Sequence, residues 1–173
     1  KGIAKGQEVT LKELMLHVVD NEEVRIVPER FEKTYRHWIT NLRDWNISRQ
    51  IIFGHQVPVW YKDNQMVVSQ DAPGDDWVQD TDTLDTWFSS GLWSFSTLGW
   101  PNTESDDFET YHPTNLLNPG YEILPLWVSR MVLMSTFLVG DIPFKEVHIH
   151  GMLRDKQGRK FSKSLNNGID PLE

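Results

Sequence analysis

Apolar residues recur along this chain with two different periods, and the changes of period mark its elements. Phe31, Tyr35, Trp38 and Leu42 form one apolar stripe at helical spacing over about three turns. Pro28 stands where the first turn needs no N–H, so the pattern predicts a helix opening at Pro28 with that stripe in the core. Residues 46–61 read as a turn-and-strand region around Gly54 and Pro58. The short run Gln65–Ser69 predicts a hairpin with Val57–Tyr61 across Lys62-Asp63-Asn64. Asp71–Asp76 is a loop by composition. Thr83 or Asp85 then caps a helix running to about Leu92, because a side-chain oxygen there satisfies free first-turn amides. Asn102–His112 reads as a polar connection.

The last third is more regular. Leu116-Leu117-Asn118 reads as a buried strand end, and Pro119-Gly120-Tyr121-Glu122 as the turn into a long apolar helix, Ile123–Val139. Gly140-Asp141-Ile142-Pro143 stops that helix, and a strand follows at Glu146–His150. Strand, helix and strand within residues 114–151 make a βαβ unit, so the expected class is α/β with a parallel sheet. Residues 1–25 carry no chemical signature.

Composition narrows the class. A chain of 173 residues, 39% hydrophobic and 24% charged, is one ordinary domain or a large piece of a bigger protein. With eight tryptophans, some are expected to line a site. The absence of cysteine excludes disulfides and thiolate-ligated zinc. His148 and His150 alternate on a strand and are assigned to packing, so no metal site is expected. The longest apolar stretch is broken by Pro125, Ser129 and Arg130; with no signal peptide in view, a cytoplasmic location is expected.

A formal net charge of -8 argues against indiscriminate nucleic-acid binding. Against that background, Arg154–Lys163 holds five cations and one acid, on a loop leaving the end of a strand. Such a run is either a solvated surface patch or a phosphate-binding loop at the sheet edge where open α/β folds bind ligands. Gly120 and Glu122 also follow a strand and open a helix. A glycine there lets a nucleotide approach the backbone. The carboxylate two residues on either accepts ribose hydroxyls or serves as a first-turn acid favoured by the helix dipole.

Lys160-Phe161-Ser162-Lys163-Ser164 resembles the KMSKS signature of class I aminoacyl-tRNA synthetases, with Phe161 replacing methionine. Arg43–Gln50, Gly54–Trp60, Leu84–Gly91 and Ile149–Gly151 are similar to further segments of the family, in its order, so the resemblance covers roughly residues 26–173. Trp87-Phe88-Ser89-Ser90 and Phe95–Pro101 resemble the valyl branch; the isoleucyl and leucyl branches and a non-catalytic RNA-binding paralogue are the rivals. The resemblance implies the second half of a Rossmann-type parallel-sheet catalytic domain with a small hairpin and connective region. Residues 1–27 would end an inserted editing or connective region. Residues 28–113 would carry the connective helix, the hairpin and the start of the second catalytic half, and 114–173 the nucleotide-binding half.

The implied reaction uses ATP with Mg²⁺, valine and tRNA(Val). Lys160 and Lys163 would hold the β- and γ-phosphates, Lys163 being the one tied to the transition state. Ser162 and Ser164 would fix the loop, and Phe161 would anchor it. Gly120 and Glu122 would meet the ribose; the family usually has aspartate at 122, so the arm here is one methylene longer. His150, Gly151, Met152 and Leu153 would shape the adenine pocket, with main-chain groups of Met152 or Leu153 facing the base and His150 alternatively structural. Trp87 and Trp127 would wall the amino-acid pocket, core packing being the competing reading. Arg43, Arg49, Arg154 and the lysine loop are candidate tRNA contacts, and Arg49 and His55 are expected to be structural. The family's HIGH motif is absent: His148-Ile149-His150-Gly151 ends a strand rather than opening a helix. The HIGH half, the editing domain and the anticodon-binding domain are therefore expected elsewhere in a longer chain, and these 173 residues alone are expected to be inactive.

Overall fold

Three strands far apart in sequence, Arg25–Val27, Thr114–Leu117 and Phe144–His148, pair in parallel into one sheet with the last of them in the middle. The computed structural model describes residues 6–169 and Leu172. The first element, α1 (Leu11–Asp20), was not expected. It is fixed by a capping box: the Thr10 hydroxyl accepts from the Glu13 amide at 3.2 Å, and the Glu13 carboxylate accepts from the Thr10 amide at 2.7 Å. It buries Leu14, Met15, Val18 and Val19. Strand β1 (Arg25–Val27) pairs Ile26 with Val147, and α2 (Arg30–Thr40) follows.

The helix begins two residues after Pro28, whose carbonyl accepts from the Phe31 amide at 3.0 Å. Trp38 is 50% exposed and Ile39 is buried, so the stripe runs Phe31, Tyr35, Ile39, Leu42. Positions 38 and 39 both satisfy helical spacing from Tyr35. The smaller side chain takes the inner one and joins the buried core that also holds Met15, Leu124 and Met131.

Strand β2 (Ser48–Arg49) pairs with β6 (Thr83–Leu84). Between them, β3 (Val59–Lys62), β4 (Gln65–Val68) and β5 (Val78–Gln79) form a small antiparallel sheet in the order β4-β3-β5. The expected hairpin is present with a tighter turn. Lys62 pairs with Gln65, leaving Asp63-Asn64 as a two-residue loop, and Asp63 takes the positive φ that such a loop demands. Helix α3 (Thr86–Ser96) extends one turn beyond the expected end, with Asp85 as its cap. The polar connection contains a short helix, α4 (Asp106–Tyr111), whose first turn carries Asp106 and Asp107.

Strand β7 (Thr114–Leu117) lies at the sheet edge, so Leu116 is half exposed rather than buried. The long helix is not uniform. Tyr121–Ile123 is a 3₁₀ turn, Leu124–Val128 a π turn, and only α5 (Ser129–Leu138) is regular. Pro125 accounts for this, since it lacks an N–H and its ring would strike the carbonyl four residues back in an α-helix. Strand β8 (Phe144–His148) closes the βαβ unit beside β7. The core lies between this sheet and α1, α2 and α5, with Val18, Ile26, Tyr35, Leu124, Val128, Val132, Phe144 and Val147 buried together. The Tyr35 hydroxyl donates to the Met15 carbonyl at 3.0 Å. No helix among the described residues is long and apolar enough to cross a membrane.

Candidate active site

Beyond the last strand residues of β7 and β8 the two chains stay stitched together. The His150 amide donates to the Pro119 carbonyl at 3.1 Å, and the Tyr121 amide to the His150 carbonyl at 3.2 Å. This brings the helix-opening turn and the segment His150–Leu153 side by side at the carboxyl edge of the sheet. Gly120 is buried there, and an added Cβ would stand 2.8 Å from the Met152 sulfur and 3.6 Å from Cε1 of His150. A side chain at 120 would therefore displace the end of Met152, the group that approaches the backbone here. Gly151 is different: a Cβ there would meet open space. The His150 ring is exposed and donates through Nδ1 to the Gly151 carbonyl at 2.7 Å.

The basic loop is a narrow hairpin. Arg154 and Lys160 bridge across it, and the Phe161 amide donates to the Leu153 carbonyl at 3.1 Å. Gly158 turns the chain at φ 78°. Asp155 organises the interior, accepting from the Gln157 amide, from the amide and Nε of Arg159, and from Asn167 Nδ2, all at 2.8–3.0 Å. The Asn167 hydrogen bond, then the Arg159 amide and guanidinium, outweigh desolvation and hold the Asp155 carboxyl down at about 2.

Asn167 also accepts from the Ser162 amide at 2.8 Å and donates to the Lys160 carbonyl at 3.1 Å, lacing both lysines' segments together. The Ser162 and Ser164 hydroxyls lie 2.8 Å apart. Neither Asp155 nor Asn167 was assigned from the sequence. The only available signal was that a side-chain amide beside a turn can both donate and accept.

Two contacts dock this loop on the turn after Gly120. Lys160 Nζ pairs with the Glu122 carboxylate, and Arg154 donates to the Tyr121 hydroxyl at 3.0 Å. Gly120, Glu122, His150, Met152 and Lys160 are therefore one constellation, in which the paired Glu122 and Lys160 lie 38 residues apart in sequence. Lys163 sits on an exposed 3₁₀ turn, Lys163–Leu165, and makes no ion pair among the described residues. Arg154 and Lys160 are thereby tied to the loop's own docking, while Arg43 stays exposed.

The tryptophans lie to one side of this constellation. Trp127 lies within the π turn that begins two residues after Glu122; its indole N–H donates to the Ser90 carbonyl of α3 at 3.0 Å, and its ring lies 5.9 Å from that of Trp93. Trp87 is half-buried in the first turn of the same helix α3.

Beneath that turn is a second cluster. Buried Asp85 accepts from the Trp87 amide at 2.9 Å, from the Trp45 indole at 3.0 Å and from the Arg49 guanidinium. Arg130 of α5 stacks on the Trp45 ring at 4.3 Å. Burial pushes the Asp85 carboxyl up, but the Trp87 and Trp45 donors with the charges of Arg49 and Arg130 hold it below its usual range. Arg49 therefore has a structural partner, and the exposed His55 contributes its carbonyl to the Leu84 amide at 2.7 Å.

A parallel α/β unit with a glycine and an acid at one strand end, on which a two-lysine loop docks, has the architecture of the doubly wound α/β class. The chain matches the family described as tRNA synthetases class I (I, L, M and V) over residues 6–78 and 64–173, and it belongs to that family. Valine–tRNA ligase of Bacillus subtilis (strain 168) is 54% identical over 156 residues, 88% of this chain and 18% of that protein. Valine–tRNA ligase of Latilactobacillus sakei is 53% identical over 173 residues, 95% of this chain and 20% of that protein. The chain thus spans about a fifth of the length of these curated relatives. Among solved structures, Mycobacterium tuberculosis methionyl-tRNA synthetase bound by methionyl-adenylate shares the fold, with a TM-score of 0.66 at 23% identity over 94% of this chain and 28% of that one.

Proposed function

We propose that this chain forms the nucleotide-binding half and part of the amino-acid pocket of a valine–tRNA ligase. In that reaction a valine carboxylate oxygen bonds to the α-phosphorus of ATP, the bond to the bridging oxygen breaks, and pyrophosphate leaves. A hydroxyl at the 3′ end of tRNA(Val) then displaces AMP from the carbonyl. The observation that carries the reading is the sequence identity above 50% to valine–tRNA ligases, with Lys160 beside Glu122 and Gly120.

Negative charge grows on the leaving pyrophosphate, and mobile lysine ammonium groups stabilise it most where it develops. Lys163, which has no ion pair among the described residues, is the first candidate to hold it. Lys160 shares Glu122 with the expected ribose; hydroxyls that take over the carboxylate release this second ammonium toward the phosphates. Ser162 and Ser164, whose hydroxyls meet across Lys163, hold the turn that presents this lysine. Because the Leu153 carbonyl is engaged by Phe161, Met152 is the better candidate for the main-chain adenine contact, with His150 and Gly151 flanking it. Trp87 and Trp127 offer flat walls for a branched aliphatic side chain.

Among the described residues no group of three or more His, Asp or Glu side chains could hold a metal ion; Mg²⁺ would arrive on the ATP phosphates and neutralise part of their charge. We assign residues 114–173 to the nucleotide-binding half and residues 28–113 to the connective helix, hairpin and start of the second catalytic half. Residues 1–27 are the return from an inserted region, with α1 and β1 packed into the parallel-sheet core. The HIGH-bearing half, the editing domain and the anticodon-binding domain belong to the rest of a cytoplasmic enzyme. Pyrophosphate exchange by the full-length protein tests the reading. Exchange should depend on valine and be far weaker with isoleucine or leucine; preference for either of those would overturn it. Residues 1–173 alone should give no exchange.

A further inference from the structure

We infer that Arg130 is a positioning residue for the amino-acid pocket: with Trp45 and Asp85 it holds the first turn of α3, and with it Trp87, against the helix that carries Trp127. This deepens the valine-activation reading and rests on it. Asp85 caps α3 through the Trp87 amide and is the acceptor for the Trp45 indole N–H. Arg130 lies on the face of that same indole, 4.3 Å from its centroid. Cation, ring, carboxylate and pocket-wall amide therefore form one chain of contacts running from α5 into the start of α3.

Helices α3 and α5 pack tightly at Arg130. A Cβ on Gly91 of α3 would stand 3.2 Å from Arg130 Cβ and 3.3 Å from its carbonyl oxygen. One residue before Gly91, the Ser90 carbonyl accepts from the Trp127 indole. Arg130 thus sits where α3, which carries Trp87, packs tightly on α5, the helix that continues the π turn bearing Trp127.

Its guanidinium is also poorly spent for a purely architectural group. Nε and Nη1 are buried without a hydrogen-bond acceptor, an arrangement that native interiors rarely keep without a reason. Burial opposes the charge and Asp85 favours it. What holds the cation is the indole face and the field of the carboxylate, so its service is to fix those two groups, and through them Trp87.

The test uses the full-length protein and valine-dependent pyrophosphate exchange. Arg130→Met keeps the length of the side chain and removes the charge. It should raise KM for valine about tenfold, the size of a desolvated cation–π contact, and weaken the preference for valine over isoleucine. KM for ATP should stay within about twofold, because the lysine loop and Glu122 lie outside the cluster. Arg130→Lys, which keeps a cation over the ring, should recover most of the valine affinity. Should Arg130→Met fail to fold, Trp45→Leu, which removes the ring from beneath the cation, must raise the valine KM by a similar factor.

An unchanged valine KM and valine/isoleucine preference would overturn the inference while leaving valine activation intact. So would a parallel rise in both KM values with no rescue by lysine, the mark of a merely structural residue. A wild-type protein without valine-dependent exchange overturns the functional reading first, and the inference falls with it.

Discussion

Replacing Asn167 by alanine should loosen the lysine loop without unfolding the domain. The side chain makes three hydrogen bonds, to the Ser162 amide at 2.8 Å, Asp155 Oδ2 at 2.8 Å and the Lys160 carbonyl at 3.1 Å. At about 1 kcal/mol each, they sum to roughly 3 kcal/mol. Water reaches this exposed loop and replaces part of that, leaving about 1–2 kcal/mol of lost local order. One power of ten corresponds to about 1.4 kcal/mol, so the ordered loop should become roughly 5- to 30-fold less populated.

Two assays read this. Amide hydrogen exchange at Ser162 should accelerate by that factor, while amides of the core strand β8, such as Val147, keep their protection. Valine-dependent exchange by the full-length protein should lose kcat by a similar factor, with little change in KM for valine. If Ser162 exchanges no faster in the variant, the lacing role assigned to Asn167 is wrong. If Val147 loses protection as well, the residue supports the whole domain rather than the loop.

Other perturbations have definite expected outcomes. The Asp155 carboxyl is held at about 2, below its usual value of 3.8, so its contribution to loop order is complete above about pH 4 and disappears as pH falls through about 2. Hydrogen exchange in residues 153–162 should show that loss in the wild type and a flat profile in Asp155→Asn. Gly120→Ala puts a Cβ 2.8 Å from the Met152 sulfur, and because this flexible side chain can swing aside it should lower stability by no more than about 1 kcal/mol in thermal melts, a loss that adding Met152→Ala should remove. Thr10→Ala removes the capping box of α1 and should cost about 1 kcal/mol in urea unfolding, with no change in exchange activity.

Local signals in the sequence located the elements whose causes are local. The oxygen of Asp85 meets free amides of its own helix, and the Lys62–Gln65 hairpin needs only adjacent residues, so both were legible to within a turn. Strand β1 was not, because its three residues become a strand only by pairing with β8, which is more than a hundred residues away. The Thr10–Glu13 box could have revealed α1, as it is a complete local signature. Trp38 was misplaced because periodicity cannot separate adjacent positions that both fall near the stripe; packing chose Ile39.

In the site, residue types at strand ends pointed to Gly120, Glu122 and the lysine loop. That Glu122 spends its carboxylate on Lys160, that Met152 lies on Gly120, and that Asn167 ties the loop together are contacts between distant segments. No sequence period encodes them. Arg130 reads in the sequence only as an interruption of an apolar helix, and becomes informative once Trp45 is seen beneath it.

The most direct measurement is the effect of Lys163→Ala on valine-dependent pyrophosphate exchange by the full-length protein. If this exposed ammonium stabilises charge only as pyrophosphate departs, kcat should fall by about two orders of magnitude or more while KM for valine stays near its wild-type value. A variant that keeps wild-type kcat, or loses only affinity for valine, would show that the loop does not act on the reacting phosphates.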